Sequence, residues 1–336
     1  MVYDCFSFFN ELDLLEIRLN VLKDVVDKFV LVEATRTHTG QPKPLYFGEN
    51  SSRFSAFKDK IIHIVVDDFS LADKFATERE RAWARENIQR NAIVKGLVEA
   101  KPDDVMVISD LDEIPNPESI ITASRSAGIT RIGMRLYYYF LNYRNYSIPE
   151  WRLGTQVLHF SDFVDSKNYA NFKFGQFVLK DVNRIPSASM IRFTGSDRMI
   201  HDGGWHFSYL GGIESIKTKL ASFAHTEFDA KAKSDEWIRD RINKGEDIFL
   251  RGDRLFAEQI DEMYPRYIVA NRDKLGHLIY SVDDEYLKRT RFSRAYCRFV
   301  GFIKALIAFF VPKLLVPFVM RVRDSVHGVR ASKEHV

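Results

Sequence analysis

A short apolar run that stops at three carboxylates constrains this chain more than any other stretch. Val105-Met106-Val107-Ile108-Ser109 has the unalternated, β-branched pattern of a strand buried on both faces. Asp110, Asp112 and Glu113 follow at once, and Pro115 and Pro117 prevent the strand from continuing. Such strands belong to sheets covered by helices. In open α/β sheets, ligands sit beyond the carboxyl ends of the strands, where this triplet falls. An extended backbone would point Asp110 and Asp112 the same way, and a turn would let both converge on one ion. Hard cations such as Mg²⁺ and Mn²⁺ take a few carboxylates and complete their shell with phosphate oxygens. The strand end is therefore a candidate seat for a metal-bound diphosphate. Ordinary turn chemistry, in which acids and prolines are common, is the competing explanation.

The flanking sequence alternates strand and helix patterns. Val2–Phe9, Lys28–Glu33, Ile61–Val66 and Val105–Ser109 read as strands. Helices are expected from Asn10 onward, with Leu14, Leu15, Ile17, Leu19 and Leu22 on one broad face, and over Glu78–Glu99. This order predicts a mostly parallel sheet with helices on both faces. Farther on, Pro117–Ala127, Ile213–Phe223 and Asp235–Ile242 read as helices. Arg131–Phe140 and Trp151–Phe160 read as strands, and Ser161–Ser196 shows no clear pattern.

Charge divides the chain. Residues 286–336 carry eleven Lys/Arg and two acids, a net +9, whereas residues 1–285 are net −6. The expected organisation is a catalytic domain over 1–285 and a basic, apolar helical tail over 286–336. Phe299–Met320 is apolar for a membrane-spanning length, but Lys304 and Lys313 interrupt it. An interfacial amphipathic helix on an anionic membrane surface fits that pattern, and packing on the protein's own core competes with it. An acidic body argues against nucleic-acid binding. Two cysteines at opposite ends imply no disulfide framework, and the N-terminus lacks a secretory signal pattern, so a cytoplasmic, peripheral location is expected.

Other candidates cluster by position. Asn10 and Glu33 follow or end strands that should open onto the same edge as Asp110, where amides and acids could hold a base and ribose. Helix capping competes for Asn10 and a surface acid for Glu33. Asn87 and Arg90 share a helix face that could reach a phosphate or donor sugar, or could simply be solvated. In His201-Asp202-Gly203-Gly204-Trp205-His206, glycines allow close backbone approach, and His206 is the candidate third metal ligand. Lys219 could neutralise a leaving diphosphate. Three consecutive tyrosines, Tyr137–Tyr139, must point to both faces of a strand, into core or cleft.

Several blocks occur together in one order: Phe8-Phe9-Asn10-Glu11-Leu12-Asp13-Leu14-Leu15-Glu16-Ile17-Arg18-Leu19, Phe29-Val30-Leu31-Val32-Glu33-Ala34, Ser109-Asp110-Leu111-Asp112-Glu113-Ile114-Pro115, Gly204-Trp205-His206-Phe207-Ser208 and Ser222-Phe223-Ala224-His225-Thr226-Glu227. Together they resemble glycosyltransferase family 17 over roughly residues 1–230. The resemblance implies a GT-A-like (Rossmann-like) fold and a UDP-sugar donor, with GlcNAc the first guess. It also implies a divalent metal, Mn²⁺ or Mg²⁺, and inversion at the anomeric carbon. Asp110 and Asp112 match its metal-binding motif. The chain starts at the catalytic domain, without the signal-anchor and stem of a Golgi enzyme of this type, so the expected acceptor is a glycan or lipid-linked glycan at a membrane surface. The acceptor base is expected to be a carboxylate, with Asp202 and Glu227 the candidates and Glu113 a third. A glycoside hydrolase, which also needs two carboxylates, and a non-catalytic membrane-associated carbohydrate-binding protein are the alternatives.

Overall fold

The apolar strands form as their patterns require. The computed structural model describes residues 1–165, 188, 191, 196–224 and 234–310. In it β1 (Val2–Phe8), β2 (Lys28–Ala34), β3 (Ile61–Val66) and β4 (Val105–Asp110) pair in parallel, in the order β3-β2-β1-β4. Successive side chains point to opposite faces, and both faces are apolar. Phe6, Phe8, Phe29, Leu31, Val105 and Val107 enter one core, while Tyr3, Cys5, Val30, Val32, Met106 and Ile108 enter another. Helix α1 (Leu12–Leu22) covers the first face with Leu14, Leu15, Leu19 and Leu22. Helix α2 (Tyr46–Glu49) adds Phe47 to that face. Helix α3 (Glu78–Asn91) covers the second face, its first turn fixed by a reciprocal Thr77–Glu80 capping box.

Helix α3 is shorter than the expected Glu78–Glu99 and gives way to a 3₁₀ turn over Ala92–Gly96. Gly96 lies so close to β2 that a Cβ there would stand 2.5 Å from a Val30 methyl carbon.

Beyond the acid turn the chain builds a second sheet that the alternation did not signal. After β4, Glu113–Pro115 resumes as β5, so Pro115 ends a strand instead of preventing one; β5 is an edge strand, where a proline is tolerated. Helix α4 (Pro117–Ala123) follows, shorter than expected. The single strand expected over Arg131–Phe140 divides at Gly133 into β6 (Thr130–Ile132) and β7 (Arg135–Tyr138). The first joins the β4 sheet and the second joins the new one. Strand β8 (Tyr143–Asn145) follows, and then β9 (Gln156–His159), antiparallel to both β4 and β6, leads into α5 (Phe160–Asp165). Strand β10 (Arg198–Ile200) completes the seven-stranded sheet beside β6. Strands β11 (Gly204–Ser208) and β12 (Leu255–Ala257) complete a five-stranded sheet of order β12-β8-β7-β11-β5. The fold is thus α/β with two mixed sheets.

Helices α6 (Gly212–Ser222), α7 (Asp235–Lys244) and α8 (Arg266–Ala270) pack around these sheets, and α9 (Asp284–Phe310) ends the described chain. The tyrosine run divides as a strand must. Tyr137 packs with Phe207 and Tyr264, and Tyr138 with Tyr209, all of them buried. Most of Ser161–Ser196, and residues 311–320 of the apolar segment, lie outside the described residues. No described helix is long and apolar enough to cross a membrane.

Candidate active site

The acid turn is where the chain passes from one sheet to the other. Asp110 is the last residue of β4, and Glu113 is the first of β5. The turn is held from below by Arg18, a wholly buried arginine of α1. Its guanidinium donates to both Asp4 carboxylate oxygens at 2.6 and 2.7 Å. It also donates to the Ser109 hydroxyl at 2.5 Å and to the carbonyls of Asp110, Leu111 and Glu113 at 3.0, 3.1 and 2.8 Å. From the side, Glu113 accepts from the Asp110 amide at 3.1 Å and from the Trp151 indole at 2.9 Å. The Asp112 carbonyl accepts from the Phe207 amide at 2.8 Å, tying the turn to β11.

Lys219 and His206 meet the Asp112 carboxylate of this turn. Lys219 of α6 places its ammonium 2.9 Å from Asp112 Oδ2 and 3.6 Å from Glu11 Oε1. His206 of β11 holds Nε2 3.5 Å from Asp112 Oδ1, and its ring lies 4.9 Å from that of Trp151. Burial alone would raise the Asp112 pKa, but Lys219 and His206 outweigh it and hold the carboxyl far below the usual range. Lys219 moves the opposite way: burial would lower it, and Asp112 and Glu11 push it well up. Asp110 is met by Arg90 of α3 at 3.1 Å, and Arg90 also pairs with Glu86 at 2.7 Å. A cavity of about 270 Å³ adjoins the site, its wall including Asn10, Glu11, Arg53, Tyr209, Ser215 and Lys219.

The fold therefore brings Asp112, His206 and Lys219 together, and Asp110 with Arg90. Asn10 lies on the cavity wall, and its side chain does not cap α1. Asn87 is half-buried on α3, and among the described residues no hydrogen bond joins it to the acid turn. Glu33 is fully buried instead of facing an open edge. Its carboxylate accepts from the Phe47 amide at 3.1 Å and meets Lys43 at 3.5 Å and His63 at 3.0 Å. Asp202, in the turn just before β11, is gripped by Arg135 at 2.6 and 2.5 Å. Glu227 lies outside the described residues.

Among the described residues, no three His, Cys, Asp or Glu side chains converge as a full metal cage would require. The donor set fits a looser arrangement, in which one or two carboxylates hold the ion and phosphates complete its shell. Asp110 and Asp112 lie on one rigid turn, and Asp112 already draws a cation to itself.

Sequence reading missed Arg18, Glu86 and the bonding role of Trp151. Arg18 had a signal: it shares helical spacing with Leu14, Leu15 and Leu22, so it is a charge on a buried face and demands a partner. Asp4, an acid inside the apolar strand β1, is that partner.

An α/β fold that carries paired acids at the carboxyl end of a core strand, opposed by a lysine beside a cleft, is the architecture of an enzyme. The chain belongs to glycosyltransferase family 17, whose sequence model matches residues 1–278. It is 27% identical over 301 residues to the beta-1,4-mannosyl-glycoprotein 4-beta-N-acetylglucosaminyltransferase of Rattus norvegicus, covering 83% of this chain and 54% of that protein. To the Homo sapiens protein of the same name it is 27% identical over 293 residues, covering 80% of this chain and 53% of that one. The chain thus spans about half the length of the curated relatives it matches.

Proposed function

We propose that this glycosyltransferase moves a sugar, GlcNAc first, from a UDP-sugar to a hydroxyl of a glycan or lipid-linked glycan, with inversion, on a GT-A-like fold and with Mn²⁺ or Mg²⁺. In this reaction the bond from the anomeric carbon to the acceptor oxygen forms as the bond to the diphosphate breaks. The acceptor proton passes to a carboxylate, and UDP leaves. The observation that carries the reading is the Asp112–Lys219 pair at 2.9 Å, with Lys219 on the wall of the adjoining cavity.

Each residue has a physical task. Lys219 is kept charged by Asp112 and Glu11, so it can meet the negative charge that grows on the departing diphosphate. Arg90 holds the Asp110 carboxylate in place, and Arg18 and Glu113 fix the turn that presents both aspartates. Asp110 and Asp112, with His206 as a further ligand, would hold the divalent ion, which would supply Lewis-acid stabilisation to that same diphosphate. Asn10 and Glu11 line the cleft, where a nucleoside would be read. Asp202 and Glu227 are the carboxylates proposed for the base. Both Asp202 carboxylate oxygens are already engaged by Arg135, which leaves Glu227 the first choice.

A thermal-shift titration with UDP-GlcNAc, UDP-glucose, UDP-galactose and GDP-mannose, each with and without Mn²⁺, tests the reading. The expected result is a metal-dependent rise with UDP-GlcNAc that Asp112→Asn removes. No rise with any nucleotide would defeat the donor assignment and turn attention to hydrolysis.

A further inference from the structure

Helix α9 has two unlike faces. Thr290, Arg294, Cys297 and Gly301, at spacings of four, three and four, lie on the side that meets the body. Gly301 is buried so tightly there that a Cβ would stand 2.8 Å from the Ser147 carbonyl and 3.2 Å from Pro149. One turn earlier, Arg298 lies over the Tyr146 ring at 4.7 Å, and near the helix start the Tyr286 hydroxyl accepts from the Ala257 amide at 3.1 Å. The helix is therefore docked, with its orientation fixed.

The opposite side repeats the same spacing with large apolar residues, Phe292, Tyr296, Phe299 and Ile303. Phe292 is 84% exposed, Tyr296 69% and Phe299 62%, with Phe302 beside them at 56%. A helix buried on one side needs a polar face on the other, and this one presents an aromatic face to solvent. Bases flank that face, namely Lys288, Arg289 and Arg291. From residue 286 to residue 323 the sequence holds nine Lys/Arg and no acid. An acidic protein partner could match the charge but would not by itself cover a row of aromatics. An anionic lipid surface accepts both, rings at the headgroup level and bases against the phosphates.

We propose that the exposed face of α9, centred on Phe292, Tyr296 and Phe299 and flanked by Lys288, Arg289 and Arg291, is a docking surface for an anionic lipid bilayer. The face lies in the membrane plane and does not cross it. The docked side of the helix then holds the catalytic domain at a set orientation to the lipid.

The test is flotation of the full chain with vesicles of neutral phosphatidylcholine and with vesicles that also contain phosphatidylglycerol. Binding to the anionic vesicles, weakened by salt, is expected, with little binding to neutral ones. Phe292→Ser/Tyr296→Ser/Phe299→Ser should reduce the partition coefficient by about tenfold or more. Lys288→Gln/Arg289→Gln/Arg291→Gln should reduce it while leaving every ring in place. Both variants should keep a melting temperature near wild type, because the altered side chains are exposed and, among the described residues, only Arg289 touches a ring, that of Tyr286 on the same helix. Equal binding to neutral and anionic vesicles would overturn the proposal. So would wild-type binding by the aromatic triple variant, or a dimer in solution that this variant dissolves.

Discussion

The ammonium of Lys219 lies 2.9 Å from Asp112, and each keeps the other charged. The Asp112 pKa is depressed, so the stability it lends is present above its ordinary value of 3.8 and is lost as pH falls well below it. The Lys219 pKa is raised, so its contribution is present below 10.5 and is lost as pH rises through the higher native value. The pair thus does not titrate near neutrality. Lys219→Met should lower kcat with a UDP-sugar by about 10²-fold, the typical loss when one transition-state charge partner is removed. The limbs of the pH profile between 5 and 9 should stay where they are. A kcat near wild type in that variant would remove Lys219 from the reaction.

Arg18 reaches five acceptors besides its bond to the second Asp4 oxygen, and lysine cannot reproduce that planar fork. Arg18→Met leaves Asp4 buried and unpaired, which costs about 3–5 kcal/mol. Arg18→Lys keeps the charge but frees the carbonyls of the acid turn. It should cost less stability and still depress turnover, because Asp110 and Asp112 lose their fixed backbone. Urea denaturation and kcat, measured together on both variants, check this. If Arg18→Lys is slower only in proportion to the protein it unfolds, Arg18 has no positioning role.

The parallel strands β1–β4 and the covering helices α1 and α3 were legible because burial on both faces leaves an unbroken apolar run, whereas α2 fell in what reads as a polar loop. His206 was read as a partner of Asp112 through its candidacy as a third metal ligand, but the direct Lys219–Asp112 contact was not, since separate elements supply the two. The second sheet was not legible. Its strands β5, β7 and β8 are three or four residues long, below the length at which periodicity speaks. Gly133 and the acid turn switch the chain between sheets without a loop signal. Glu33 looked like an acid at an open edge because a strand's last residue usually is exposed. The loop after it folds back and buries it against Phe47 and His63.

Gly204 makes the pairing of β11 with β5 possible. It stands opposite Pro115, and a Cβ there would lie 2.5 Å from the Ile114 carbonyl oxygen and 2.9 Å from the Pro115 Cα. Both are backbone atoms, so the strands must part. Gly204→Ala should destabilise the fold by about 1–3 kcal/mol. It should also lower activity by moving His206, two residues on, away from Asp112. Gly276→Ala, where a Cβ would meet nothing within 4 Å, is the matched control and should be neutral. Calorimetric melting and turnover on the two variants check the contrast, and equal melting temperatures would refute it.

Glu16 joins α1 to the segment after α8. It accepts hydrogen bonds from the Tyr267 hydroxyl at 2.6 Å, from Arg53 at 2.6 and 3.0 Å, and from Lys274. Burial would raise its pKa, but these bonds, led by Lys274, lower it from 4.5 to about 2. A depressed carboxylate lends stability above its unfolded pKa and gives it up as pH falls through the native value. The loss attributable to Glu16 should therefore fall between pH 4.5 and about 2. Glu16→Gln should be less stable than wild type at pH 7, and the gap should narrow across that window. Urea midpoints at pH 7 and pH 3 measure it. A gap that stays constant with pH would mean that Glu16 contributes through shape and neutral hydrogen bonds alone, and that its charge does not help hold α1 over the sheet edge where Asn10 and Glu11 line the cleft.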